Sequence, residues 1–321
     1  MLIPVFYGLR NLTLLPASIF VFALQVFVLL IALPINEAYH KDMDAKSKDP
    51  HFYNEMSVKY SKWMHDHPND YDQTLHRLSD MSRGGDPTYR IIMSQMALRD
   101  GTFQRNIASI DSSYSPQIEA DWKKNYVAIK KIEDSNPVYD WGYKTAEEKT
   151  YTLFTYQFVH SGLMHFAMNA FFFLLLAPLV ELALGSTLFL SLYLFGGAFA
   201  AYFYSLFQSN TLVPLVGASG SICFLLGFIG VYFWKHGMYY FYWLLPMKGY
   251  YGFVKLPAYV ALIAWFLSDL SGQMSSTTFE SVAHSAHLGG MIFGAVMGAT
   301  YRYLKPIHSV DDLLAGRKAT T

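Results

Sequence analysis

The sequence has 321 residues, 53% hydrophobic and 17% aromatic, and its 24 basic and 24 acidic side chains cancel to a net charge of zero. A chain without a basic excess is poorly suited to neutralising phosphates, which argues against a nucleic-acid binder. Cys223 is the only cysteine, so an intrachain disulfide is excluded.

The charge is unevenly spread. Thirty-five of the 48 Asp, Glu, Lys and Arg residues lie between positions 35 and 150, leaving the other two-thirds of the chain nearly uncharged. That asymmetry is the signature of a membrane protein. No metal-ligand spacing stands out, since His65-x-His67 has no further partner in the sequence. Neither a metal nor a cofactor is expected.

Positions 12–35 carry no charge and as a helix would extend roughly 36 Å, enough to cross a bilayer core of about 30 Å. This first span is longer than a signal-peptide core, and no small-x-small cleavage site follows it closely. Positions 36–150 mix charges with scattered aromatics and carry turn signals at Pro50, Pro68, Gly84, Gly85, Pro87, Pro116 and Pro137. They read as a water-exposed insertion containing short amphipathic helices, for example Ile118, Trp122, Tyr126 and Ile129 at helical spacing. Such helices either pack as a small subdomain or lie on the headgroups.

Between 150 and 234 the only charged residue is Glu181, and Gly185, Asn210 and Pro214 divide the run into spans near 157–182, 186–208 and 217–234. Positions 237–255 are rich in Tyr, Phe and Trp, the composition of an interfacial aromatic belt. A short fifth span follows at 256–267 and a sixth at 281–304. The expected fold is all-α: a polytopic bundle of six transmembrane helices with a long outer-side insertion between the first and second. The expected domains are 1–35, a first helix; 36–150, the extracytoplasmic insertion; 151–304, the membrane core; and 305–321, a cytoplasmic tail. In this arrangement Arg10, Lys235, Lys248, Lys255, Arg302, Lys305, Arg317 and Lys318 all fall on one side. The positive-inside rule makes that side the cytoplasm, the long insertion being exempt. Both termini are then cytoplasmic.

With that topology the second, fourth and sixth spans all begin on the outer side. His165 and Asn169, at i and i+4, share one face early in the second; Ser219 opens the fourth; His287 sits about two turns into the sixth. A hydroxyl, imidazoles and an amide therefore arrive at similar depth, and polar groups inside a membrane are costly enough to imply function. Gly290, Gly294 and Gly298 give the sixth span a small-xxx-small face for close approach, and Gly220, Gly227 and Gly230 do so for the fourth. A neutral His287 imidazole could take the proton of Ser219. The Ser219 backbone N–H, the Asn169 amide and a His165 ring N–H could then stabilise an oxyanion. Asp269 and Glu280 read as interfacial, so no carboxylate is expected to complete a triad and a dyad is the economical reading.

At these residues the sequence resembles the rhomboid family of intramembrane serine proteases. The resemblance rests on His160-Ser-Gly-Leu-Met-His165-Phe-Ala-Met-Asn169, then Glu181 and Gly185, then Gly217-Ala218-Ser219-Gly220, and finally Ala286-His287-x-x-Gly290-x-x-x-Gly294. It implies a Ser219 nucleophile, a His287 base, an oxyanion hole from His165 and Asn169, and packing glycines at Gly217, Gly290 and Gly294. The implied partners are the lipid bilayer and transmembrane protein substrates cut near their outer ends, in a multi-pass protein of a bacterial inner membrane. The resemblance also suggests a lateral entry between the second and fifth spans, past Phe171, Phe172, Phe173, Trp265 and Phe266. One position departs from the family: four residues after the serine, where an aromatic ring commonly packs on the catalytic imidazole, stands Cys223. The alternative from another class is a catalytically silent relative that binds transmembrane helices. A transporter using the histidines would be expected to carry internal repeats or paired broken helices, and neither is apparent.

Overall fold

The structure is a computed structural model and describes residues 2–5, 15–47, 49–71, 73–110, 116–147, 149–208, 211–243, 251–275 and 283–306. Arg10, Lys248, Glu280, Arg317 and Lys318 lie outside them, as do Ser209 and Asn210. The helices are α1 (Pro16–Ser47), α2 (Pro50–Asp66), α3 (Gln73–Arg83), α4 (Pro87–Arg99), α5 (Gly101–Asn106), α6 (Pro116–Asp134), α7 (Pro137–Trp141), α8 (Thr152–Thr155), α9 (Leu163–Leu184), α10 (Ser186–Ser205), α11 (Ser219–Tyr232), α12 (Tyr259–Ser275) and α13 (His284–Leu304). Among the described residues, α1, α9 and α10 are long and apolar enough to cross a membrane, and α11 is a shorter apolar helix.

The all-α expectation is corrected at one place. Leu2–Val5, Gly237–Trp243 and Tyr251–Pro257 form strands β1, β2 and β3 of an antiparallel sheet ordered β1-β2-β3. Tyr, Phe, Trp and Val fit a half-buried pleated surface better than a helix, and exposure along β3 alternates residue by residue. Met238 and Tyr240 on one face are buried in the apolar core, while Phe253 on the other is exposed. What reads in sequence as an aromatic belt is thus a folded sheet between α11 and α12.

The chain divides into two compact units. The first comprises Met1–Leu30, Leu153–Phe207 and Leu215–Thr321. Its core is built from α9 to α13, with Phe173, Phe189, Tyr193, Phe224, Phe228 and Tyr232 among the buried residues. Close packing comes from missing side chains. A Cβ on Gly294 would fall on the Phe224 carbonyl, one on Gly298 would come 2.7 Å from the Phe228 oxygen, and one on Gly227 would fall on the Met291 carbonyl. Helices α11 and α13 therefore touch backbone to backbone.

Glu181 explains how α1 is anchored in this unit. The carboxylate is 2% exposed and accepts from Ala17 N at 3.0 Å, Ser18 N at 2.7 Å, Ser18 Oγ at 2.6 Å and Ser186 Oγ at 2.6 Å. The first turn of a helix has orphan N–H groups and a positive dipole end, and a buried carboxylate satisfies both. Gln25 adds a second polar contact from α1, donating to the Tyr193 hydroxyl at 3.1 Å.

The second unit comprises Ile31–Thr152 and Gln208–Pro214. It is a helical domain with its own core of Phe52, Met56, Tyr60, Met64, Met93, Phe103, Trp122 and Ile129, so its amphipathic helices pack on one another. Several prolines that read as turns in sequence start helices instead. Asp49, Asp86 and Asn136 cap α2, α4 and α7 with side-chain oxygens, each followed by proline at the first helical position. The missing proline N–H is one that the helix would leave unpaired anyway. Asp100 is the polar hub. It caps α5 through Thr102 N and Phe103 N, and accepts from the Tyr60 and Tyr71 hydroxyls at 3.1 and 2.6 Å.

Candidate active site

Ser219 is the first residue of α11. The turn before it depends on Gly217, whose φ of +108° lies where L side chains are strained. Space matters there as well. A Cβ on Gly217 would lie 2.7 Å from both His165 Cε1 and Nε2 and 3.7 Å from Asn169 Nδ2. The backbone of the serine turn is thereby held against the imidazole and amide of α9. Gly217 N donates to the Tyr156 carbonyl at 3.0 Å, and the Tyr156 hydroxyl donates to the Gly197 carbonyl of α10 at 2.8 Å. The turn is pinned on both sides.

Ser219 Oγ lies 2.9 Å from His287 Nε2, on α13. The approach has a visible cause: a Cβ on Gly290, three residues beyond His287, would fall on the Gly220 carbonyl. The neighbouring Ser221 is different. It is buried and donates to Gln157 Oε1 at 2.7 Å, while Gln157 Nε2 donates to the Leu194 carbonyl at 3.1 Å. Of the two serines in the motif, one is fully engaged in packing and the other faces an imidazole.

His165 and Asn169 stand where the sequence suggested, on one face of α9. Asn169 uses one amide N–H on the His165 carbonyl at 2.9 Å. His165 Nδ1 is 3.0 Å from Ser161 Oγ. If that hydroxyl donates, the ring proton stays on Nε2, the nitrogen beside Gly217. The His160 ring meets those of His165 and Phe166 edge-on, each at a centroid distance of 5.3 Å, and so wedges His165 in place.

The sequence reading expected no carboxylate at His287, and here it is corrected. Asp269 lies inside α12, which continues to Ser275, so the helix does not end at the acid. Its Oδ1 is 3.0 Å from His287 Nδ1 and 2.7 Å from His284 Nδ1. Cys223 Sγ joins the same cluster: its ligand atom and those of Asp269 and His287 all lie within 4.8 Å of one another. Around Cys223, where the resembling family commonly has a ring, a carboxylate thus reaches the far nitrogen of the imidazole.

Compared with known families, residues 147–304 match the model described as Rhomboid domain. The chain belongs to the rhomboid family. A search of curated proteins found no match. The rhomboid domain contains every residue of the cluster described above, from Tyr156 to Gly290.

Two members of this rhomboid site, Asp269 and His284, were legible only in part. Asp269 is the sole acid between Glu181 and Glu280, and a lone acid beside an apolar run is itself a functional signal. His284 has no partner that spacing along the chain could name. Its i, i+3 spacing from His287 put both rings on one face of α13, and Gly272 of α12 clears the space for it, since a Cβ there would overlap the His284 ring.

Proposed function

We propose that this rhomboid protein is an intramembrane serine protease that cuts transmembrane substrates near the outer membrane face, with Ser219 as nucleophile and His287 as base. The observation that carries the reading is the 2.9 Å separation of Ser219 Oγ and His287 Nε2, within proton-transfer reach. Attack by Ser219 on a scissile carbonyl forms the C–O bond as the hydroxyl proton passes to His287. The same proton goes to the leaving amine as the C–N bond breaks, and water then hydrolyses the acyl-enzyme. The Ser219 backbone N–H, His165 and Asn169 are the donors for the tetrahedral oxyanion.

The membrane arrangement belongs to the same proposal. Six spans place the domain 36–150 outside, with both termini in the cytoplasm of a bacterial inner membrane. The core is 151–304, flanked by the first helix in 1–35 and the tail 305–321. At 14 residues α11 is roughly 21 Å long, less than the bilayer core, so a helix anchored at the inner surface opens below the outer one. That recess gives water a route to Ser219.

A fluorophosphonate probe tests the reading on the full chain in detergent. Labelling of the parent and its loss in Ser219→Ala and His287→Ala is the expected result. An unlabelled, folded parent would favour instead a silent rhomboid that only binds transmembrane helices.

A further inference from the structure

The family resemblance implies a two-residue machine, and the structure contains more. Asp269 is 8% exposed and presents one oxygen to two imidazoles. An ionised carboxylate is only an acceptor, so each facing Nδ1 must carry a hydrogen. For His287 this leaves Nε2 with a lone pair, aimed at the Ser219 hydroxyl. In the opposite tautomer Nε2 would carry the hydrogen and could not accept the serine proton. A bare serine and histidine pair has nothing to make that choice.

We propose that Asp269 is the positioning residue of the reaction, holding His287 in its Nδ1–H tautomer, and that His284 is the second donor that fixes the carboxylate. The proposal rests on the protease reading. The geometry has a further support independent of the hydrogen bonds: α12 carries Gly272 one turn after Asp269, where any side chain would overlap the His284 ring. α12 thus supplies an acceptor and, on the same face, the gap that admits its second donor. Cys223 flanks the group from α11, where a phenyl or phenol ring would stack on the imidazole in the family pattern. Orientation here comes from a hydrogen bond to Nδ1.

When Ser219 attacks, its proton moves to His287 Nε2 and the imidazolium forms with both nitrogens protonated. Asp269 keeps its charge and stabilises that cation through the Nδ1–H it already accepts. No proton reaches the carboxylate. His284 donates to the same oxygen throughout, so the carboxylate cannot rotate away as the charge on His287 comes and goes. The groups facing the pair are His284 from α13, Cys223 and Ser219 from α11 and His165 from α9, and any pH profile reports them together.

The test is the rate of fluorophosphonate labelling in the full chain, from pH 6 to 9, for the parent, Asp269→Asn, Asp269→Glu and His284→Gln, read beside the downfield imidazole proton resonances. Asp269→Asn should slow labelling by about 100-fold or more at neutral pH, with thermal stability close to the parent. Asp269→Glu should recover part of the rate. His284→Gln should lower it by a smaller factor and alter the pH profile. The parent should show an Nδ1–H resonance for His287 that Asp269→Asn abolishes. Equal labelling rates and unchanged profiles in parent and Asp269→Asn would overturn the positioning role and leave the protease reading intact. A parent that shows the resonance but never labels would do the reverse. Should Asp269→Asn fail to fold, the resonance in the parent decides: its absence overturns the proposal.

Discussion

The rings of Phe172 and Trp265 meet edge to face, with centroids 4.8 Å apart and planes at 81°. This contact joins α9 to α12. Its neighbours behave differently, since Phe171 is exposed and Phe173 is buried against Tyr193 at a centroid distance of 5.5 Å. Only Phe172 of the three stands in the wall between the two helices.

Under the proposed protease reading a transmembrane substrate would enter sideways from lipid, and the contact between Phe172 and Trp265 would stand in that route. Trp265→Ala removes the obstructing ring without displacing α12 and its Asp269, and is expected to raise the cleavage rate of a single-span model substrate several-fold while leaving fluorophosphonate labelling unchanged. A disulfide engineered between the outer ends of α9 and α12 should do the opposite, suppressing cleavage but not labelling. Undiminished cleavage in the fully oxidised protein would exclude entry here.

Gly290 sets the approach of His287 to Ser219. Gly290→Ala places a methyl group against the Gly220 carbonyl, and backbone cannot yield as a flexible side chain can. The overpacking should cost about 1–3 kcal/mol of stability and slow labelling of Ser219 markedly as α13 withdraws. Thermal melts and labelling rates measure the two effects separately.

Glu181 is a stability residue. Glu181→Ala leaves two backbone N–H groups and two hydroxyls of the buried site without their acceptor, at an expected cost of about 3 kcal/mol or more. Glutamine should also fail, because its amide would turn hydrogens toward donors. Hydrogen exchange in the first turn of α1 should rise in both variants, and unchanged protection there would refute the anchoring role.

In the second unit the Tyr60 and Tyr71 phenols are both pushed well above the usual range. Burial is the main cause for each; the Asp100 charge and hydrogen bond add to it. In the unfolded chain these phenols ionise near pH 10, while in the fold they stay protonated. The folded state then binds more protons above that pH, so the unit keeps its full stability below about pH 10 and loses it as pH rises further. Hydrogen exchange in α2 and α4 should accelerate above pH 10, and Tyr71→Phe should blunt the effect.

Much of this arrangement was legible because membrane chemistry is sparse. Ser219, His287, His165 and Asn169 stand out as polar groups in apolar runs, and the expected topology puts them at similar depth. Asp269 was misread because a helix end was assigned where the apolar run stops, whereas α12 continues through Ser268, Asp269 and Ser271 to Ser275. Its carboxylate is paid for by two imidazoles from another helix, a tertiary fact invisible to periodicity. The sheet was hidden for a different reason: composition located the aromatic residues of 237–255, but strand pairing with Leu2–Val5 joins segments more than 200 positions apart. Prolines 50, 87 and 137 marked boundaries correctly; only the capping side chains reveal that helices begin there.

Ser219 and His287 ride on α11 and α13, which are locked together by bare backbone. The Asp269 carboxylate rides on α12, which under the proposed lateral entry is the wall that a substrate would have to push aside. Under that entry, an outward displacement of α12 would carry Asp269 away from His287, so an open entrance and a fully oriented imidazole would be opposed states of one helix. Admission and hydrolysis would then alternate, and an unoccupied doorway would leave a disarmed serine behind it.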